Sequence, residues 1–468
     1  ETLFRGKLRI EASDYHMIDL TAFYANIDNG YDAFSLDNTR TTLSDEPGHD
    51  RQETSAFAAK STWTGHDAFT LETSLSYSDS DLEYGYDEDW AYDGFHPWGY
   101  NWFDNYQRDN QTMTAELRML SAPGEKLFNG STTWVTGLYY YDRNTDLVRK
   151  RTTYSDYTSS FSTQRISAYG ELTSTLSDNF RLTSGLRIEQ IESDYSTSDN
   201  FTSDTDEVLF GGRLSLEYLI NADHTLYGLI SRGYKVGGFN ASNDLSLAQQ
   251  TFDTETLWNY EIGSKDTWID NRLQTQISFF YQQRDEAQIK GNKTTFNIIG
   301  NAPDNIDYVD NVDNAYSYGI EAEARWDLNS KISLFGSLGL LNTKLEDASL
   351  DIVDGREAAQ APSYQYTFGA NFNHGKGWFS GIDIEGKDEF YFSDSHNQTS
   401  EAYTLLNARA GYKTKDWSVT LWGKNLTDED TYVRGFYFGN DPRTGYADTL
   451  YTQLGAPRQL GITANMNF

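Results

Sequence analysis

Polarity alternates every second residue from one end of this chain to the other, and no stretch sustains a helical period of 3.6. Gly319–Trp326 is the cleanest case: Gly319, Glu321, Glu323 and Arg325 share one face, and Ile320, Ala322, Ala324 and Trp326 the other. From Leu273 the pattern repeats, with Leu273, Thr275, Ile277, Phe279 and Tyr281 opposite Gln274, Gln276, Ser278, Gln282 and Arg284. Asn259, Glu261 and Lys265 oppose Trp258, Tyr260 and Ile262, and Leu406, Ala408, Ala410 and Tyr412 oppose Asn407, Arg409 and Gly411. A period of two puts each set on one face of a sheet. The chain is therefore all-β.

An all-β chain of 468 residues is either a soluble sandwich with its apolar face inside or a membrane barrel with that face turned to lipid. Two features favour the barrel. The apolar face is thin, with Ala and Gly among its aromatics, and would fill a dry core poorly. The connections alternate between short (64–67, 177–179, 221–224, 269–271, 328–331, 375–377) and long (27–50, 81–108, 145–160, 195–205, 237–252, 286–313, 345–361, 392–401, 432–456), as in barrels with tight turns on one side and loops on the other. The mean hydropathy of −0.67 alongside 33 Tyr, 26 Phe and 11 Trp fits a wall whose average hides its lipid face. All seven prolines, Pro47, Pro97, Pro123, Pro303, Pro362, Pro442 and Pro457, fall in loops or at strand entries, where no ladder bond is lost.

This reading predicts a large antiparallel transmembrane β-barrel over 1–468 with about nineteen strands. Among them are 68–80, 109–120, 132–144, 272–285, 315–327, 377–391, 417–427 and 458–468. Single-chain bacterial barrels have even strand numbers, so about three further strands upstream would give a wall of about 22, the plugged size class. The chain opens on Glu1 without Met or signal peptide and is read as beginning part-way into a longer protein. Its last strand, Arg458–Phe468, puts Leu460, Ile462, Ala464, Met466 and Phe468 on one face.

Several segments now resemble one family. They are R-G-K-L-R-I-E-A-S-D at Arg5–Asp14, L-Y-G-L-I-S-R-G-Y-K-V-G-G-F-N at Leu226–Asn240 and N-Y-E-I-G-S-K at Asn259–Lys265. N-V-D-N-A-Y-S-Y-G-I-E-A-E-A at Asn311–Ala324, W-G-K-N-L-T-D at Trp422–Asp428, G-A-P-R-Q-L-G-I before Thr463 and the terminal Phe complete the set. In this order and on these strands, the chain resembles the C-terminal β-barrel of a TonB-dependent receptor, without the plug domain and TonB-contacting segment. The resemblance implies energised uptake across the outer membrane of a Gram-negative bacterium. A plug remodelled by TonB would admit a scarce nutrient, in the first instance a ferric siderophore-type iron complex, with haem, cobalamin or glycans as other family cargoes. Outer-membrane lipid and lipopolysaccharide are the expected surroundings. A passive substrate-selective porin and a non-transport surface barrel remain the rival readings.

The segment 81–108 is the candidate ligand loop. Trp90, Trp98, Tyr100 and Trp102 stand there among acidic residues, and flat aromatic faces can stack on sugar, catecholate or porphyrin rings. A loop whose aromatics bury one another is the alternative. Arg284, on the polar face at the long-loop end, is the rim residue placed to meet a ligand. Asp87-Glu88-Asp89 followed by Asp93-Gly94 has the flavour of a calcium loop, but Ala91 stands where an EF-hand requires Asp or Asn. Asp304, Asp307 and Asp310 are weaker cation candidates, or simply a solvated acidic rim.

Several functions are excluded. The seven His include no zinc-spaced pair, and no H-E-x-x-H, P-loop or G-x-S-x-G occurs, so no enzyme and no cofactor is expected. Cys is absent, which removes disulfides and thiolate metal sites. A net charge of −33, from 37 Lys+Arg against 70 Asp+Glu, repels nucleic acid and concentrates cations near the loops.

Overall fold

The computed structural model describes residues 1–30, 34–46, 48–122, 124–152, 154–240, 242, 245–297, 302–347 and 353–467, and the side chains of all these except 293–297 and 302–305. Pro47, Pro123 and Phe468 lie outside the described residues, as do the side chains of Pro303 and Asp304.

The strands are β1 Thr2–Ser13, β2 His16–Asp28, β3 His49–Trp63, β4 Phe69–Asp87, β5 Phe103–Ser121, β6 Thr132–Arg151, β7 Tyr157–Thr175, β8 Phe180–Thr197, β9 Thr202–Leu219 and β10 His224–Lys235. After the small loop hairpin β11 Gly238–Phe239 and β12 Thr251–Phe252 come β13 Glu255–Trp268, β14 Leu273–Asn297, β15 Ala302–Asn329, β16 Ile332–Glu346, β17 Tyr364–Gly375, β18 Trp378–Lys387, β19 Tyr403–Lys413 and β20 Trp417–Lys424. A second loop hairpin, β21 Tyr432–Phe438 with β22 Thr449–Leu454, precedes the last strand, β23 Gln459–Met466. Leaving out the two hairpins, nineteen strands form one sheet, the number expected from the sequence. Each pairs antiparallel with its wall neighbours in chain order. The sheet is not closed: among the described residues β1 is laddered to β2 alone and β23 to β20 alone.

The register fixes the faces. Lys265 pairs with Gln276 and Gln276 with Glu323, while Ile262 pairs with Phe279 and Phe279 with Ile320. Polar residues thus run in continuous rows across one side of the sheet and apolar residues across the other. The apolar side is bare: Ile262, Phe210, Val208, Leu460 and Ile462 are all more than half exposed. Ile277 is exposed and Ile320 and Leu406 half-buried, opposite exposed Gln276 and Glu321, so the wall encloses no dry core of its own.

Two aromatic belts bound the bare band. On the long-loop side Trp258, Tyr260, Tyr281 and Tyr316 touch in series across three strands. On the short-turn side Phe180 stacks on Tyr218, His224 meets Trp268, and Trp378, Tyr412 and Trp417 form a chain. Trp258 and Trp268 on β13 are about ten residues apart, ~34 Å of strand. A tilt of ~40° reduces this to ~26 Å, matching the ~25 Å apolar band of outer-membrane barrels.

Ile262→Arg, near the middle of that band, is expected to destabilise the wall by ~2–4 kcal/mol. Gln276→Arg on the opposite face should change stability by less than ~0.5 kcal/mol. Urea unfolding in lipid vesicles measures both, and equal costs would contradict the assignment of faces.

The strands on the long-loop side outrun the sequence expectation. β4 continues to Asp87 and β6 to Arg151, while β14 and β15 run as a ribbon through 286–297 and 302–313, within a stretch expected to be loop, with an irregularity where Glu286 takes a positive φ. Ladder hydrogen bonds do not depend on lipid, so hairpins continue into water after the apolar alternation has ended. β18 and β20 instead end short of 391 and 427, the latter where Asn425 turns left-handed. The two dry clusters found among the described residues lie beyond the belts. One packs Ala287, Ile289, Val312, Ala315, Leu345 and Val353, and the other gathers aromatics from three loops.

Candidate functional site

Three loops meet in the aromatic cluster: those following β2, β4 and β20. Phe34 stacks on Trp90 at 4.8 Å, and Tyr451 and Phe438 each present an edge to Trp90 at 5.4 Å. Phe436 closes on Phe34 at 5.6 Å. Trp90 adopts φ +61°, a left-handed conformation costly for a residue with a Cβ, and the packed rings hold it there. Such offset and edge-on pairs contribute beyond their buried area.

Polar clasps hold the loops together. Asn38 donates to the Leu450 carbonyl at 3.0 Å and accepts from the Thr452 amide at 2.6 Å. Arg40 pairs with Asp430 at 3.0 Å and donates to the Gly455 carbonyl at 2.9 Å. Arg443 bridges Asp441 at 2.8 Å and Asp37 at 2.7 Å. Beside the cluster a cavity of about 430 Å³ is lined by Phe34, Arg40, Trp90, Phe436, Tyr451 and Gln459. That volume falls within the usual range for small-molecule sites, and its mix of aromatic faces with a few polar groups is typical of them.

The sequence-derived candidates do not converge. Trp90 is buried in the cluster and lines the cavity. Trp102 is also buried, with Tyr100 edge-on to it at 5.0 Å. The Arg151 guanidinium lies over the Trp102 and Tyr154 rings and pairs with Glu88, while the Tyr100 hydroxyl donates to the Glu88 carbonyl at 3.2 Å. Burial pushes the Glu88 carboxyl up, and Arg151 opposes the shift. Trp98 is 61% exposed and stacks on Tyr446 at 5.2 Å, a flat platform at the surface. Arg284 stands on a different part of the rim, tied to Glu255 at 2.8 and 2.6 Å. Glu255 also accepts the Gln288 amide at 2.8 Å.

The weaker cation candidates are also dispersed. A spacing of three along β15 puts Asp307 and Asp310 on opposite faces. Asp307 accepts from Asn292 at 2.9 Å, and Asp310 from the Asn311 amide at 3.1 Å. Among the described residues no three Asp, Glu or His side chains gather as metal ligands. Phe34, Arg40, Phe436 and Tyr451 were not singled out in the sequence; the only hint was the run Phe436-Tyr437-Phe438 within 432–456.

Comparison with known proteins agrees with this architecture. The family described as TonB dependent receptor-like, beta-barrel, matches residues 6–426. The pesticin receptor of Yersinia enterocolitica is 29% identical over 320 residues, 65% of this chain and 44% of that protein. The match thus spans less than half of that relative's length. Among solved structures, the ferric yersiniabactin uptake receptor FyuA from Yersinia pestis superposes with a TM-score of 0.81 at 18% identity, over 100% of this chain and 70% of that one. The copper transporter OprC superposes at 0.77 with 14% identity, over 100% and 72%. At these identities the superpositions establish the fold.

Proposed function

Because the chain belongs to the TonB-dependent receptor-like β-barrel family, we propose that it is the wall and loop layer of an outer-membrane receptor importing a ferric siderophore-type complex. The family and its structural neighbours are transport receptors, not enzymes, and such barrels are outer-membrane proteins of Gram-negative bacteria. The observation that carries the reading is the aromatic cavity at the head of a wall whose lipid face is bare. Its rings and Arg40 form a surface for a rigid, partly aromatic chelate with acidic edges. The name of one relative, the ferric-pyoverdine M114 receptor PbuA of a Pseudomonas strain, 28% identical over 42% of this chain and 25% of that protein, supports the same cargo class. On this reading a plug would fill the polar lumen and TonB would supply the work through it.

The test is growth of iron-starved cells that depend on this receptor, supplied in turn with ferric siderophores. At least one should restore growth in a TonB-dependent manner, and Arg40→Ala should raise the concentration needed about tenfold, the loss of one charge-assisted contact. Uptake that persists without TonB would identify a passive porin instead.

A further inference from the structure

Five largely buried carboxylates in the loop layer and around its base are each paired with an arginine. Glu88 has Arg151, Asp104 has Arg149, Asp441 has Arg443, Glu255 has Arg284 and Glu189 has Arg187. Asp87 and Asp89 form no ion pair with an arginine among the described residues. Both are buried, at 3% and 0% exposed, and their carboxyls lie within hydrogen-bonding reach of each other. Among the described residues, both oxygens of Asp89 and one of Asp87 accept no hydrogen bond of good geometry, although the Asp89 and Trp102 amides lie beside the Asp89 carboxyl. The second Asp87 oxygen accepts only the Asp45 amide, at 3.1 Å.

Among the described residues the neighbours bring no compensating charge. His96 Nε2 donates to the Asp89 carbonyl oxygen at 3.3 Å, so it is not turned to the carboxylate, and Nδ1 lies 3.1 Å from the Tyr446 hydroxyl, a contact that a neutral ring satisfies. Its Nε2 is 3.8 Å from the nearer Asp89 carboxylate oxygen. Glu46 adds negative charge next to Asp87, and Arg443 is committed to Asp441 and Asp37. Two like charges removed from water with three open oxygens are too costly to stand alone. One shared proton would still leave a buried negative charge; one divalent cation leaves none.

We propose that Asp87 and Asp89 bind a single divalent cation, Ca²⁺ in preference to Mg²⁺, which locks the three loops together. The three open oxygens are hard ligands, and the remaining positions would be filled by backbone carbonyls and water. Ca²⁺ accepts such an irregular, mixed shell, whereas Mg²⁺ demands near-ideal octahedral geometry. The pair lies where the loops join. The Asp93 amide donates to Asp45 at 3.0 Å, linking the first two loops, and Asn440 donates to the Asp89 carbonyl at 3.3 Å, bringing in the third. A cation there would hold Trp90, the next residue, in its packed position.

The experiment is Ca²⁺ titration of the purified full chain in detergent micelles at constant ionic strength. It is followed by tryptophan fluorescence and by protease cleavage within 88–102, with calorimetry for affinity and stoichiometry. The expected result is one saturable transition that slows cleavage, with Mg²⁺ at least tenfold weaker. Asp89→Asn and Asp87→Asn should each weaken Ca²⁺ at least tenfold with an unchanged far-ultraviolet β signal. Asp93→Asn, at an exposed acid of the same loop, should titrate like the parent. Parent-like titration of the Asp89 and Asp87 variants would overturn the site. So would a parent chain whose loops ignore Ca²⁺ and tighten only as pH falls, the behaviour of a shared proton.

Discussion

Trp90→Ala should loosen the loop layer by about 3–5 kcal/mol, the cost of emptying a packed indole position. Trp90 is in ring contact with Phe34, Phe436, Phe438 and Tyr451, so its loss removes the centre of the cluster. The wall should be unaffected, because its ladders and lipid face lie below the cluster. Hydrogen exchange would show fast opening confined to 34–46, 88–102 and 439–452, with the strands between the belts still protected. Trp98→Ala is the matched control, since Trp98 is exposed and its ring stacks on Tyr446, which lies outside the cluster. Its effect on stability should stay within ~0.5 kcal/mol. If Trp98 is a ligand platform, its removal weakens chelate binding while exchange rates hold. Equal exchange behaviour in the two variants would mean that the aromatic cluster does not organise the loops.

The second large effect concerns the Arg151–Glu88 pair, whose side chains are only 10% and 12% exposed. Arg151→Ala leaves Glu88 buried without its guanidinium and takes the cation from the faces of Trp102 and Tyr154. The expected cost is about 3–5 kcal/mol. Replacing both partners by residues of similar volume, Arg151→Met with Glu88→Leu, should recover most of it, because neither charge is then stranded. The sign of the pH dependence follows. Burial raises the Glu88 carboxyl above its ordinary value despite Arg151, so without Arg151 the shift grows. A group raised in the folded state contributes stability that is present below its unfolded pKa and is lost as pH rises through the folded one. The single variant should therefore be least impaired in acid and worsen towards neutral pH, and the double variant should be flat. Loop unfolding followed by near-ultraviolet circular dichroism from pH 4 to pH 8 tests both. A pH-independent single variant would show that Glu88 is not confined as described.

The wall was readable in the sequence because its signals are local. A period of two and turn chemistry at strand ends need no knowledge of distant residues, and they gave the strand number and the outward face of Ile277 and Ile320. The reading failed where membrane and water part. Above the belts the apolar half of the alternation disappears, so β4, β6 and β14 were cut short although their hydrogen bonds continue. The loop site was legible only in part. Trp90 stood out as one aromatic among many in 81–108, but its companions Phe34 and Tyr451 lie in loops far away along the chain. Only the curvature of the finished sheet brings them together. Arg284 lies on the polar face of β14; that Glu255 holds it depends on register, since Thr256 is laddered to Asp285.

The contact between Asn38 and Leu450 joins positions 412 residues apart. Closing so long a span in an unfolded chain would cost ~5 kcal/mol in entropy, more than two hydrogen bonds return. The clasp therefore cannot start assembly. It can form only once every intervening strand has registered, and that order makes it a seal of completion. A barrel with one hairpin misplaced would leave 34–46 and 439–452 loose and open to added protease, while a correctly built one would hold them in their packed arrangement.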